Sequence, residues 1–116
     1  MLEIDAKKKF KVAQKYFENK NYKKAQELWL DISSFYPKNV SVLRNLSLAF
    51  YYDNNLDQAE ITLKKIIHIN KREPNAFTML ILILEDQDKI KETKKYKTLI
   101  RSSVGKSLGY ATQVVV

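Results

Sequence analysis

Apolar side chains recur along this chain at helical spacing, three or four residues apart, and the whole arrangement repeats with a constant longer period. Ala25, Ala59 and Thr93 stand at that interval. So do Tyr22, Leu56 and Ile90, then Ile32, Ile66 and Ile100, then Val12, Leu46 and Leu80. Asparagine and aspartate fall at the joints between the apolar stretches: Asn19 and Asn21, Asp53 to Asn55, and Asp88. Such residues cap helix N-termini and tolerate left-handed backbone, so the turns need no glycine. Asn39 before Val40 and Glu73–Pro74 before Asn75 mark the starts of a second and a third unit, since proline suits the first turn of a helix. The pattern predicts helices over 6–19, 22–35, 40–53, 56–70, 74–87 and 89–102.

Three copies of a two-helix unit, over about 6–39, 40–73 and 74–107, predict one all-α domain spanning 1–116. The first-helix positions read Lys9–Val12–Ala13–Tyr16, Leu43–Leu46–Ser47–Phe50 and Phe77–Leu80–Ile81–Leu84. The second-helix positions read Ala25–Trp29, Ala59–Leu63 and Thr93–Lys97. Pro37 closes the first unit; Lys71 stands at that place in the second, with Pro74 three residues on. On these residues the chain resembles the tetratricopeptide repeat family over about 6–105, well in the first two copies and degenerately in the third. The resemblance implies a right-handed superhelix (solenoid) of antiparallel helix–turn–helix repeats. Small residues where helices cross let the axes approach to about 8–10 Å. Ala13, Ala25, Ser47 and Ala59 suit that role, whereas Ile81 predicts a wider third crossing.

Carrying the same register onward places Leu108 under Pro74, Ala111 under Phe77 and Val114–Val115 under Leu80–Ile81. Residues 107–116 therefore read as a C-terminal cap, the start of another helix with Ser107 at its N-cap, closing the apolar end of the third copy around Ile83, Tyr96 and Leu99. The β-branched Val114–Val116 run also suits a short strand or a frayed end. Gly105–Lys106–Ser107 has the ending of a phosphate-binding loop, but Ile100 stands where its first glycine belongs and no strand precedes it.

Composition narrows the classes. The 116 residues are 45% hydrophobic with two Gly and two Pro, which excludes linker-like and disordered chains and disfavours a turn-rich β sandwich. Absence of cysteine removes disulfides, thiolate chemistry and Cys-ligated metals. The longest apolar run, Met79–Leu84, is too short for a membrane span, and Met1–Asp5 lacks the order of a signal peptide. The expectation is a cytoplasmic protein. A net charge of +8 raises the question of nucleic acid, yet the excess is spread over all three copies and 18 of 21 basic residues are lysine. Lysine is a solvated point charge, and arginine is the residue suited to bidentate recognition, so the charge reads as a solvated surface.

No catalytic constellation emerges, and neither cofactor nor metal is expected. His68 is the only histidine, read as a surface residue of a helix, and no serine pairs with it at an argued spacing. Glu85, Asp86 and Asp88 lack the ligand alternation and glycine of a calcium loop and read as helix-end carboxylates. The resemblance implies that the first helix of each pair lines a concave groove. The candidate groove residues are Phe10, Gln14 and Phe17 in the first copy, beside Lys7 and Lys11. The second contributes Arg44, Asn45, Leu48, Tyr51 and Tyr52, with Leu48 and Tyr52 outside the packing columns, and the third Met79 and Leu82. Family members that grip a terminal carboxylate use a Lys/Asn/Arg clamp. Here Asn45 sits at one clamp position but Phe10, Gln14, Asn75 and Met79 occupy others, so the clamp is not expected.

An apolar and aromatic centre with basic residues at one end and acidic ones at the other suits an extended peptide or an amphipathic helix. The function read from the chain is a non-enzymatic scaffold binding another protein in this groove. Self-association through the third copy is a variant, because Met79–Leu84 is apolar on every side of its helix. The alternative is a basic helical-repeat module on nucleic acid. Membrane-surface binding by the Lys7–Lys11 helix conflicts with the repeat's own need for Phe10, Val12, Ala13 and Tyr16.

Overall fold

Asparagine side chains start three of the helices. Asn21, Asn39 and Asn55 each accept a hydrogen bond from the backbone N–H three residues on, at Lys24 (3.3 Å), Val42 (3.2 Å) and Gln58 (3.4 Å). Each satisfies a donor that the first helical turn leaves unpaired. A fourth start uses Pro74 in the first turn instead. The computed structural model describes residues 1–108, with side chains through Leu99 and at Arg101. Among these residues there are six helices and no strand: α1 (Glu3–Glu18), α2 (Tyr22–Phe35), α3 (Val40–Tyr52), α4 (Leu56–Ile69), α5 (Pro74–Asp86) and α6 (Ile90–Leu108). Each packs on the next in sequence, giving three antiparallel pairs stacked as a helical-repeat solenoid.

Two boundaries depart from the pattern. Helix α1 begins at Glu3, because Glu3 and Asp5 in the first turn complement the helix dipole. Helix α6 runs on through Gly105 to Leu108. A lone glycine costs a helix only about 1 kcal/mol, and no proline follows to stop it. Ser107 thus lies inside α6 rather than capping a separate helix; the rest of the expected cap, 109–116, lies outside the described residues.

The turns within the pairs repeat position for position. Lys20 (φ 63°), Asn54 (φ 59°) and Asp88 (φ 59°), each one repeat from the next, all adopt left-handed backbone. In the first turn the residue taking this conformation is Lys20, between the two asparagines, since Asn19 ends α1 and Asn21 caps α2. Left-handed backbone costs an ordinary L-residue about 1–2 kcal/mol, a penalty glycine avoids at some expense in chain entropy. Lys20→Gly should therefore raise stability by about 0.5–1 kcal/mol, read as a higher urea midpoint at unchanged slope. An unchanged or lower midpoint would show that Lys20 carries no strain.

The core follows the predicted columns. Ala13, Ala25, Ser47 and Ala59 are fully buried, as are Ile32 and Ile66 of the second helices and Leu46 and Leu80 of the first. Val12, of the same column as Leu46 and Leu80, is 46% exposed. The physical reason is that α3 and α5 pack on the second helix of the preceding pair, whereas no described element precedes α1. In the third pair Thr93 is buried and Ile81 half-buried.

Polar contacts join the pairs at equivalent positions. Lys23 Nζ lies 2.9 Å from Asp53 Oδ2, and at the corresponding place one repeat on Gln87 Nε2 donates to Asp57 Oδ1 at 3.3 Å. The buried Gln26 amide donates to the Ala49 carbonyl and to Asp53 Oδ2, both at 3.1 Å. Its counterpart Glu60 accepts from Lys89 (2.9 Å) and Lys64 (3.1 Å), and Lys64 also reaches Glu92 (3.2 Å). Hydrogen bonds from Lys23 and Gln26 hold the Asp53 carboxyl below its ordinary range. Burial pushes Glu60 up, but Lys89 and Lys64 outweigh it and hold that carboxyl low as well.

A carboxyl depressed in the folded state stabilises the fold fully above its unfolded pKa and loses that contribution as pH falls through the folded value. Melting temperature should therefore hold level near neutrality and fall below about pH 4.5. Asp53→Asn with Glu60→Gln should flatten that acid limb in circular-dichroism melts. An acid limb of unchanged steepness would assign the acid sensitivity to other carboxylates.

Candidate functional site

The exposed face of the first helices follows from the same periodicity that buries their other face. None of the ten candidate groove residues is buried. On α1, Phe10 and Gln14 open with Lys7 and Lys11 onto a cavity of about 540 Å³, closed by Tyr36 at the end of α2 and Ser41 at the start of α3. The Tyr36 hydroxyl donates to the Met1 carbonyl at 2.9 Å, which fixes this wall. The repeat columns do not single out Tyr36; its place at the C-cap of α2, just before Pro37, sets it beside this cavity.

The far ends of α1 and α3 meet in an aromatic cluster. Phe17 sits edge-on to Tyr52 (5.7 Å between ring centroids) and to Tyr22 (5.3 Å); Tyr22 stacks on Tyr52 (5.7 Å), and Tyr51 stands perpendicular to it (5.6 Å). Phe17 and Phe10 both lie 5.9 Å from Trp29. Tyr52 lies against three rings yet stays 56% exposed, outside the buried core. Leu48 is half-buried on α3, one turn before Tyr52.

Charge on this face is partly neutralised. Arg44 reaches Glu73 at 3.5 Å, Lys7 lies 3.4 Å from Glu3, and Glu85 pairs with Lys97 at 2.9 Å. Exposed pairs of this kind contribute little to stability and leave the side chains available. On α5, Leu80, Ile83 and Leu84 are buried and Met79 and Ile81 half-buried, leaving Leu82 as the exposed residue of the apolar run. Most of the broad patch expected for self-association is thus covered by the chain's own helices.

His68 is exposed, and among the described residues no group of three or more His, Asp or Glu side chains could hold a metal ion. No helix among them is long and apolar enough to cross a membrane.

Helix pairs recurring at one fixed period, small residues buried at their crossings and a first-helix face left open define the fold as a tetratricopeptide-type helical repeat. No family model and no curated protein sequence matches the chain. Solved structures do. A chain of the CopN–Scc3 complex superposes with a TM-score of 0.83 at 14% identity, over 89% of this chain and 61% of that one. The Sgt2 TPR domain from Aspergillus fumigatus gives 0.74 at 20% identity, over 87% and 67%. The first TPR of Spaghetti (RPAP3), solved bound to the HSP90 peptide SRMEEVD, gives 0.73 at 17% identity, over 95% and 92%. The chain therefore spans less than two thirds of the first of these.

Proposed function

We propose that the chain is a non-enzymatic interaction scaffold that holds a segment of a partner protein, extended or as an amphipathic helix, along the face of α1, α3 and α5. The observation that carries this reading is the incomplete burial of Leu48, Met79 and Leu82 on that face, beside the open cavity at Phe10 and Gln14. Apolar side chains on a helix face gain free energy when an apolar partner removes them from water, and the flanking charges set its direction. The RPAP3 repeat, of like fold, was solved with a peptide bound, which supports the same use here.

The experiment is affinity capture by the intact chain followed by titration of the captured partner against variants. Leu48→Glu and Leu82→Glu should each weaken binding at least tenfold, about 1.4–2 kcal/mol, with melting nearly unchanged. Lys7→Gln with Lys11→Gln should mainly alter the salt dependence. Full binding by both Glu variants would place the interface elsewhere. A steep loss of affinity between about 50 and 200 mM salt, abolished by nuclease, would favour the nucleic-acid reading.

A further inference from the structure

A second recess lies between α4 and the α2–α3 connection. On α4, Ile61 and Ile69 remain 45% and 36% exposed. With Pro37 of the α2–α3 connection they floor a hollow of about 420 Å³ that shares no residue with the groove. Its rim carries the cations Lys38, Lys64 and Lys65 beside the exposed imidazole of His68, and no carboxylate lines it. Glu60 and Glu92 occupy Lys64, whereas Lys38 and Lys65 form no ion pair among the described residues. The two isoleucines lie eight residues apart on one helix, about 12 Å along its axis or two turns.

We propose that this hollow docks a short acidic amphipathic helix of a partner protein. An apolar stripe of that helix seats over Ile61 and Ile69, and carboxylates beside the stripe meet Lys38 and Lys65. The chemistry points to this occupant on two counts. An apolar floor gains from an apolar visitor, and a rim of cations alone selects anions. A nucleic-acid strand would leave the isoleucines unused. A helix two or three turns long matches the reach of the floor. This site is independent of the groove and stands whether or not the groove reading does.

The test uses the full chain and an alanine-rich synthetic helix of about 16 residues, leucines on one stripe with glutamates beside them, and a twin in which lysine replaces each glutamate. Amide chemical-shift mapping should show the glutamate peptide perturbing Lys38, Ile61, Lys65 and Ile69. Ile61→Asp should weaken it about tenfold or more. Lys38→Glu with Lys65→Glu, two exposed changes that spare the fold, should abolish its binding and admit the lysine twin. Leu48→Glu should leave it unchanged, which separates this site from the groove. The proposal is overturned if no shifts appear at these residues, if they map to Phe10 and Leu48 instead, or if both peptides bind alike. Ile61-dependent sedimentation with phosphatidylserine vesicles, without peptide binding, would equally overturn it in favour of a lipid surface.

Discussion

Replacing Trp29 with alanine should cost about 3–5 kcal/mol, the range for emptying a buried aromatic site. The indole is 1% exposed and is flanked by the Phe10 and Phe17 rings. Its removal therefore opens a void from which two further aromatic side chains lose contacts. Total stability for a chain of this length is roughly 6–17 kcal/mol, so the change is a large fraction of it. The melting midpoint should fall by about 12–20 °C. Trp29→Phe separates packing from polarity. The indole Nε1 finds no acceptor among the described residues, and phenylalanine keeps much of the volume while removing that unpaired donor. It should cost under about 1.5 kcal/mol. Similar losses for both variants in thermal melts would show that the void is not the source of the effect.

Ala25→Leu and Ala59→Leu should each cost about 1–3 kcal/mol by overpacking, and the double variant close to their sum. Both alanines are fully buried, at equivalent positions of α2 and α4. Three added carbons at either place force the helices of a pair apart or drive neighbouring side chains off their rotamers. The adjacent positions Lys24 and Gln58 are exposed, and leucine there should cost less than about 0.5 kcal/mol. Equal destabilisation at buried and exposed positions in urea titrations would count against the repeat register itself.

That register was legible because packing and capping repeat together. Ala25 and Ala59, Ile32 and Ile66, and the caps at Asn21 and Asn55 announce the same period by different physics, one steric and the other hydrogen-bonding. Helix boundaries are local matters of this kind, and all but the start of α1 and the end of α6 lie within a residue of expectation. What escaped depends on neighbours that no local pattern reports. Val12 has the side chain of its column, but no helix among the described residues covers it. Gln26 and Glu60 carry no apolar signal, yet are buried by polar contacts reaching across to the next pair. Lys20 takes a backbone conformation that its own identity disfavours because the asparagines beside it are engaged at helix ends. On the candidate face, the incomplete burial of all ten residues followed from periodicity. The mutual grip of Phe17, Tyr22 and Tyr52 did not, since those rings come from three helices. The hollow beside Ile61 was invisible for a related reason: one wall is contributed by Pro37 and Lys38, far from α4 in sequence.

Each helix packs chiefly on its immediate successor, and this bears on how the chain reaches its native state. Contact order is low, so little loop entropy is spent before stabilising contacts form, and such topologies fold on microsecond to millisecond timescales. During synthesis α1 and α2 have all they need to pair once Phe35 has left the ribosome, and each later pair arrives onto a finished template. Among the described helices, an apolar face made early waits only for the helix that follows it.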